Sequence, residues 1–136
     1  MKQVDVVAFI VHKNKKILME KRKLNKKTDP GKVVIPGGHV EQGESFEEAC
    51  QRELKEELGI ECQNFKFIIK LLHHTDIENQ MTHYFSCEEW KGKPVSHEAE
   101  KIFWVGLEQL NILDFEIDKK AAKEFFQRRV RGINEG

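Results

Sequence analysis

Apolar and polar positions along the chain predict a series of short strands interrupted by two helices. β-Branched and aromatic residues concentrate in segments separated by polar or glycine-containing turns, a pattern typical of strands. Helical spacing of apolar residues occurs in Ser45–Leu58 and again in Asp118–Arg131, with Gly132 as the expected end of the second helix. The predicted strands are Val4–Val11, Ile17–Arg22, Lys32–Ile35, Phe65–His74, Met81–Cys87 and Ile102–Val105.

The succession of strands, helix, strands and helix predicts a single α/β domain that spans residues 1–136 and contains a mixed sheet. A chain of 136 residues is long enough to bury a sizeable core. Its three cysteines, Cys50, Cys62 and Cys87, are widely spaced and form no Cys-x-x-Cys pair. This spacing favours reduced thiols in the cytoplasm over a disulfide framework or a zinc site.

Charge is balanced, with 23 Lys and Arg residues against 23 Asp and Glu residues and a formal net charge of zero. We therefore expect neither a general attraction to nucleic acid nor attachment to an acidic membrane surface. No apolar run reaches the roughly 18–20 residues that cross a bilayer, and the N-terminal segment is typical of a strand, not of a signal peptide. We expect a cytoplasmic protein, either a monomer or a homodimer.

The first predicted helix has clear signals at both ends. Ser45 suits the N-cap position, and Glu48 three residues later completes a Ser-x-x-Glu capping box. Gly59 stands where a left-handed residue commonly ends a helix, with the apolar Ile60 directly after it. These signals predict a helix from Ser45 to Leu58.

Two glutamates of this helix fall on its apolar side. At about 100° of rotation per residue, Glu53 and Glu57 lie within the arc of the helix's apolar residues, and Glu56 lies at its edge. Carboxylates three and four residues apart also repel one another. The pattern therefore requires a compensating cation. Lys or Arg side chains in an ion-pair network would serve, and so would a hard divalent metal such as Mg²⁺, so both remain open.

A glycine- and glutamate-rich segment, GHVEQGESFEEACQRELKEELGI, covers residues 38–60. It resembles the signature sequence of the Nudix hydrolases, and it matches every fixed position of that signature without a gap. A full match of this length is far more specific than a lone glycine-rich loop. The preceding Ile35-Pro36-Gly37 also resembles the family's entry into this loop. The matching residues are Gly38, Glu44, Arg52, Glu53, Leu54, Glu56, Glu57, Gly59 and Ile60.

The resemblance implies an α/β/α sandwich and a Mg²⁺-dependent hydrolase, with Mn²⁺ as an alternative ion, that cleaves a diphosphate bond in a nucleotide. Carried over by position, Glu53, Glu56 and Glu57 would bind the metal, together with the backbone carbonyl of Gly37. Glu53 is the first candidate for the general base that takes the proton of the attacking water. Members of the family differ over which acid does this, so a downstream residue remains an alternative.

Four more residues are drawn in by the resemblance. Glu44 and Arg52 would orient the loop and the helix through an ion pair, with an indirect share in catalysis. Similar enzymes often place a further metal-binding or basic glutamate shortly before an aromatic strand. Glu98 and Glu100 both meet this description, and Glu98 has the better spacing to Trp104. For either glutamate alone, an exposed acidic loop is an equally good interpretation.

Other side chains are given mainly structural interpretations. His39, after the glycine pair, is expected on a turn surface. One of the neighbouring His73 and His74 is expected to face a cleft, because successive strand residues point to opposite sides. Arg22 and Lys23 are candidates for contact with terminal phosphates by position alone. Three aromatic residues that could stack on a base are expected to pack within the sheet instead: Phe9, Tyr84 and Phe85.

The favoured substrate is a small nucleotide, first a normal or oxidised nucleoside triphosphate that is cleaved to the monophosphate and pyrophosphate. A dinucleoside polyphosphate is the nearest alternative, kept open by the Ser-His-Glu stretch at residues 96–98. ADP-ribose or a nucleotide sugar follows. Two other hypotheses are a domain that senses nucleotides without turnover, which would be expected to lack one of the helix glutamates, and an enzyme that removes RNA caps.

Overall fold

The computed structural model of the protein is a mixed β-sheet with a helix packed on each face. It describes the backbone of residues 1–135 and the side chains of residues 1–132. The last residue of the predicted domain, Gly136, lies outside the described residues. The helices are α1 (Phe46–Leu58) and α2 (Glu116–Glu135), with a 3₁₀ helix at Leu107–Ile112. The strands are β1 (Gln3–Lys13), β2 (Lys16–Lys21), β3 (Val33–Val34), β4 (Gly37–His39), β5 (Glu61–Cys62), β6 (Phe65–His74), β7 (Asn79–Cys87), β8 (Trp90–Lys91) and β9 (Lys101–Gly106).

Strand β1 explains why both faces of the sheet are covered. Every residue from Val6 to Val11 is buried, which is the pattern of a strand between two layers. Val7, Phe9 and Val11 pack in one core cluster with residues of α1, and Ala8 and Ile10 pack in another with residues of α2. Alternate residues of one strand thus serve two helices. This arrangement confirms the predicted α/β/α sandwich with a mixed sheet.

The sheet opens at the β1–β2 hairpin. The two strands pair only beside the turn, where His12 faces Ile17 and Lys13 faces Lys16. Further from the turn β1 pairs with β4 and with β7, the latter in parallel, while β2 pairs with β3 and β9. The two arms of the hairpin therefore separate. The space between them becomes the floor of a cleft.

The predicted ends of α1 are confirmed in detail. Ser45 is the N-cap, its side chain accepts a hydrogen bond from the Glu48 backbone, and the Glu48 side chain accepts one from the Ser45 backbone. Gly59 has φ 68°, a left-handed conformation that glycine adopts without a Cβ penalty, and its N–H donates to the Lys55 carbonyl. Both ends of the helix are thus fixed by local sequence.

The second helix is longer than predicted. It begins at Glu116 instead of Asp118, and it continues through Gly132 to Glu135, so the expected end at Gly132 is wrong. Gly132 is not among the glycines with positive φ, and a single glycine inside a helix costs only about 1 kcal/mol relative to alanine. Four further short elements were not predicted from the sequence: the strands β4, β5 and β8 and the 3₁₀ helix.

The three cysteines are free thiols, as their spacing predicted, and all three are buried. Cys50, Cys62 and Cys87 belong to the core cluster on the α1 side of the sheet. Among the described residues, no helix has the length and apolar character that crossing a membrane requires.

Candidate active site

A cleft of about 290 Å³ lies between the separated arms of the β1–β2 hairpin, against the side of α1. One end of the cleft is acidic and lies against α1 and β2. The other end is formed by aromatic and apolar residues near the start of α2. The residues that line the cleft include Glu20, Arg22, Lys26, Thr28, Ile35, Gly37, Gly38, His39, Glu53, Glu57, His73, Tyr84, Glu98, Phe115, Ile117 and Asp118.

Two glycines allow the loop before α1 to pass between β1 and the helix. A Cβ atom on Gly37 would lie 2.1 Å from the Val7 carbonyl oxygen, and a Cβ on Gly38 would lie 2.3 Å from the Glu53 carboxyl carbon. The contact at Gly37 is with backbone and cannot be relieved by a side-chain shift, whereas a Cβ on Gly38 would force the Glu53 carboxylate to move. The backbone at this point therefore runs directly beside the Glu53 carboxylate, and the predicted ligand Gly37 lines the cleft.

Glu57 is the most unusual side chain of the cleft. It is 7% exposed, and its Oε2 atom is buried with no hydrogen-bond partner within the described part of the chain. Burial, and then the nearby carboxylates of Glu20 and Glu53, hold the pKa of Glu57 well above its usual range. A buried carboxylate oxygen with no partner is costly. This atom is therefore available to a ligand from outside the described residues.

The other two signature glutamates of α1 are paired instead. Arg52 donates through Nη1 to Glu53 Oε1 at 2.7 Å and to Glu56 Oε2 at 3.2 Å. The Glu53 side chain lines the cleft, and burial raises its pKa despite the Arg52 contact. Glu56 is about half exposed and does not line the cleft. The ion-pair interpretation thus applies to Glu53 and Glu56 but not to Glu57.

Arg52 also forms the predicted ion pair with Glu44. Its Nε and Nη2 donate to the two Glu44 carboxylate oxygens at 2.6 and 2.9 Å, and Nη2 also donates to the His39 carbonyl at 2.9 Å. The hydrogen bond from Arg52 lowers the pKa of Glu44 to about 2. A guanidinium group that binds two segments at once fixes the loop before α1 against the helix.

Glu98 reaches the cleft because its loop is tied to the end of α1. The backbone N–H of His97 donates to the Glu57 carbonyl at 3.0 Å, and the His97 ring nitrogen Nδ1 lies 3.1 Å from the Glu56 carbonyl. These contacts satisfy carbonyls that a helix C-terminus leaves unpaired. Glu98 is exposed and lines the cleft, while Glu100, which is about half exposed, lies outside the cleft with Lys21 at 3.5 Å.

A second buried carboxyl group at this end, Glu20 on β2, was not predicted from the sequence. It is 4% exposed and lines the acidic end of the cleft. Burial raises the pKa of Glu20 to about 7, against the opposing effect of the positively charged Arg22 and Lys26. The only signal in the sequence was one acid directly after the apolar run Ile17–Met19.

Asp118, at the opposite end of the cleft, was read only as the start of a helix. It is 4% exposed, and both carboxylate oxygens are used. The Tyr84 hydroxyl donates to Oδ1, and the Ile35 backbone N–H donates to Oδ2 at 3.1 Å. Burial raises the pKa of Asp118 to about 6 even though both hydrogen bonds act in the opposite direction.

The remaining candidates divide between core and cleft. Phe9 and Phe85 pack in the α1-side core, as expected, whereas the buried Tyr84 both packs in the α2-side core and lines the cleft. Arg22 lines the cleft and donates to the Thr28 carbonyl and hydroxyl, at 3.0 and 3.2 Å. Lys23 does not line the cleft.

The histidines near the cleft have protein partners. His39 is exposed at the cleft rim and hydrogen-bonds to Glu78, which fits the turn-surface interpretation. His73 faces the cleft, as expected of one member of its pair, and lies 3.0 Å from an Asp29 carboxylate oxygen. His74 is exposed, with Asn79 as its partner.

The donor set fits a hard divalent cation in its chemistry. Among the described side chains, no three His, Cys, Asp or Glu residues already converge in a coordinating arrangement. However, the acidic end offers several carboxylate oxygens, and the unpartnered Glu57 Oε2 is one of them. Arg52 currently holds Glu53, so a bound cation would compete with this guanidinium for the same carboxylate.

Comparison with known proteins agrees with the fold. The family model of the NUDIX domain matches residues 1–128. The 8-oxo-dGTP diphosphatase of Escherichia coli K12 is 33% identical over 116 residues, which cover 85% of this chain and 89% of that protein. The CTP pyrophosphohydrolase of the same organism is 31% identical over 111 residues, or 80% of each protein.

Solved structures give the same architecture. The crystal structure of a MutT NUDIX hydrolase from Burkholderia pseudomallei has a TM-score of 0.82 and covers 91% of this chain and 98% of its own. At 22% sequence identity this match supports the fold alone.

The sandwich and its acidic cleft define a hydrolase of phosphoric anhydride bonds. The chain belongs to the Nudix family, as its signature segment predicted.

Proposed function

We propose that this protein is a Mg²⁺-dependent pyrophosphohydrolase of nucleoside triphosphates, normal or oxidised, which releases the monophosphate and pyrophosphate. The observation that carries the proposal is the buried Glu57 oxygen without a partner, at the acidic end of an open cleft. A cation that binds there and also binds phosphate oxygens would satisfy this atom and bring the substrate to it.

The shape of the cleft suits a nucleotide that lies along it. The acidic end would receive the phosphates with their metal, and Arg22 and Lys26 at the same end offer positive charge to phosphate oxygens. The opposite end has apolar and aromatic walls, contributed by Ile35, Phe115 and Ile117, which suit a base and sugar.

The chemistry follows from the charges. Mg²⁺, when bound, supplies neutralisation of the phosphate oxygens and acidifies a water. We propose that Glu53, Glu56, Glu57, Glu98 and the Gly37 carbonyl are the metal-binding groups, with Mn²⁺ as an alternative ion. The water oxygen forms a bond to phosphorus, the bridging P–O bond breaks, and the leaving phosphate oxygen takes the bond's electron pair. Glu53 is proposed to accept the water's proton, because its side chain lines the cleft at the acidic end.

Glu44 and Arg52 are proposed as positioning residues. Neither lines the cleft, yet Arg52 is bound to Glu44, Glu53 and the His39 carbonyl together. Replacing Arg52 would remove the hydrogen bond that holds the Glu53 carboxylate. Because the effect is indirect, Arg52→Lys should keep part of the activity that Arg52→Ala loses.

The names of the relatives favour triphosphates. The two Escherichia coli proteins are named for 8-oxo-dGTP and for CTP, both of which are nucleoside triphosphates. The sequence stretch that kept a dinucleoside polyphosphate open has another role, because His97 is bound to carbonyls at the end of α1. A sensor without turnover would be expected to lack one of the signature glutamates of α1, but all three are present.

The experiment is a nucleotide panel with Mg²⁺, in which phosphate and pyrophosphate are quantified separately. The panel contains normal and oxidised nucleoside triphosphates, a dinucleoside polyphosphate and ADP-ribose. We expect pyrophosphate from a triphosphate, little product with Glu57→Gln, and wild-type rates with the exposed control Glu100→Gln. Failure of wild type to hydrolyse any member, or full activity of Glu57→Gln, would contradict the proposal.

A further inference from the structure

Glu20 is a buried residue whose carboxylate has no direct partner among the described side chains. The residue is 4% exposed, and its side chain forms no hydrogen bond or ion pair with any described residue. Its strand neighbours Ile17, Leu18 and Met19 are all buried. A charged group at such a position is costly unless a cation or hydrogen-bond donors compensate it.

The nearest basic side chains do not neutralise Glu20 by contact. Arg22 directs its Nε and Nη2 groups to Thr28. Lys26 lines the same recess as Glu20, but it forms no ion pair with any described residue. The two basic residues provide a favourable field at a distance without occupying the carboxylate oxygens.

The strand pattern explains where the Glu20 side chain points. Leu18 belongs to the core cluster on the α1 side, while Ile17 and Met19 belong to the cluster on the α2 side. Glu20 has the same parity as Leu18 and therefore points toward α1. There it shares a recess with Glu57 of α1 and Glu98 of the loop before β9.

This recess contains three carboxylates from three separate elements, and the unpartnered Glu57 Oε2 belongs to one of them. We infer that Glu20 is a further cation-binding residue of the cleft, which holds a divalent cation together with Glu57 and Glu98. The inference rests on the proposed function, because it extends the metal site of the signature helix to the wall formed by β2. Glu20 is not part of the signature segment at residues 38–60.

A purely structural role for Glu20 predicts different results in two measurements, the melting temperature and the cation affinity. If its charge supports the fold, Glu20→Gln should lower the melting temperature of the metal-free protein and leave cation affinity unchanged. If its charge serves a cation, the same change should raise the melting temperature, because it removes one of two adjacent buried negative charges. It should also weaken cation binding by about tenfold or more, at least the effect of losing an outer-shell partner.

The test uses Mn²⁺ alone as the probe, with the full chain and no nucleotide. Free Mn²⁺ is counted from its electron paramagnetic resonance signal during titration, and thermal unfolding of the metal-free protein is recorded in parallel. The variants are Glu20→Gln, Glu57→Gln and the control Glu100→Gln, whose carboxylate lies exposed beside Lys21 on the neighbouring β9 side. We expect weakened Mn²⁺ binding for the first two variants only, with a raised melting temperature for Glu20→Gln.

The outcomes separate the two proposals. If Glu57→Gln weakens Mn²⁺ binding while Glu20→Gln binds like wild type, the inference on Glu20 is wrong and the proposed function stands. Lowered stability of Glu20→Gln with unchanged affinity would likewise show a structural role. If the wild-type protein binds no Mn²⁺ and hydrolyses no nucleotide, the proposed function fails together with the inference.

Discussion

Two buried carboxyl groups at opposite ends of one cleft differ in a single respect. Asp118 and Glu57 are 4% and 7% exposed. Both Asp118 oxygens accept hydrogen bonds, from Tyr84 and from the Ile35 backbone, whereas Glu57 Oε2 has no partner in the described part of the chain. Burial is therefore nearly equal, and the difference lies in how completely each group is satisfied.

This difference separates a structural acid from one that awaits a ligand. Asp118 joins α2 to strand β7 and to the segment that follows β3, and its hydrogen bonds would be lost on unfolding. Glu57 adds repulsion with Glu20 and Glu53 and gains no compensating contact at Oε2. A fold keeps such a group at a cost in stability when function requires it.

Replacement of Glu57 should have the largest effect on activity. Glu57→Gln removes the negative charge at the unpartnered oxygen and keeps the shape of the side chain. We expect the rate of nucleotide hydrolysis to fall about a hundredfold or more, because bound metal contributes several kcal/mol to catalysis. Initial rates with saturating Mg²⁺ measure this effect. The comparison breaks down if Asp118→Asn loses as much activity as Glu57→Gln.

Replacement of Asp118 should have the largest effect on stability. Asp118→Ala leaves the Tyr84 hydroxyl and the Ile35 N–H buried without their acceptor, which should lower the free energy of unfolding by roughly 3 kcal/mol. Urea unfolding of wild type and variant measures the difference. A loss below about 1 kcal/mol, typical of a surface position, would contradict the structural assignment of Asp118.

The pH dependence of stability gives a smaller and more specific signal. The folded protein holds the Asp118 proton up to pH about 6, while the usual value for this carboxyl is 3.8. Folding is therefore favoured by the bound proton below pH 3.8, and this contribution is lost as the pH rises to about 6.

The measurement is the difference in free energy of unfolding between wild type and Asp118→Asn, taken from pH 3.8 to about 6. Subtracting the variant removes the contributions of the other carboxyl groups. We expect the stability of wild type relative to the variant to decline across this window and to level off above it. A flat difference would show that Asp118 is not protonated preferentially in the folded state.

The smallest effect is expected at Ser45, which is remote in role from both carboxyl groups. Ser45→Ala removes the side-chain acceptor of the α1 capping box and should cost about 1 kcal/mol of stability. Because the helix keeps its packing against the sheet, the hydrolysis rate should change far less than with Glu57→Gln. Thermal unfolding and initial rates report the two quantities separately.

The sequence predicted those features of the two carboxyl groups that follow from local helical periodicity and helix-end signals. Glu57 is identifiable because helical spacing places it among apolar residues, and Ser45 and Gly59 mark the helix ends. Asp118 and Glu20 were missed because their burial depends on distant partners. Asp118 is satisfied by residues more than 30 positions away, and Glu20 faces α1 only through the packing of β2 in the sheet.

The same limit applies to Arg52 and Glu98. The signature spacing predicted the ion pair between Arg52 and Glu44, but not that Arg52 also holds Glu53 and Glu56. The position of Glu98 depends on the docking of His97 against α1, which no local pattern shows. Short strands such as β4 were missed for a similar reason, since pairing with β1 defines β4.

The most direct test of the central claim is the change in melting temperature when Mn²⁺ is added to wild type, Glu57→Gln and Asp118→Asn. Binding to the folded state alone stabilises it by an amount that grows with the logarithm of one plus the ratio of free Mn²⁺ concentration to Kd. We predict a clear rise for wild type and for Asp118→Asn, and little or none for Glu57→Gln. An equal rise in all three proteins, or in none, would contradict the assignment of Glu57 to a cation.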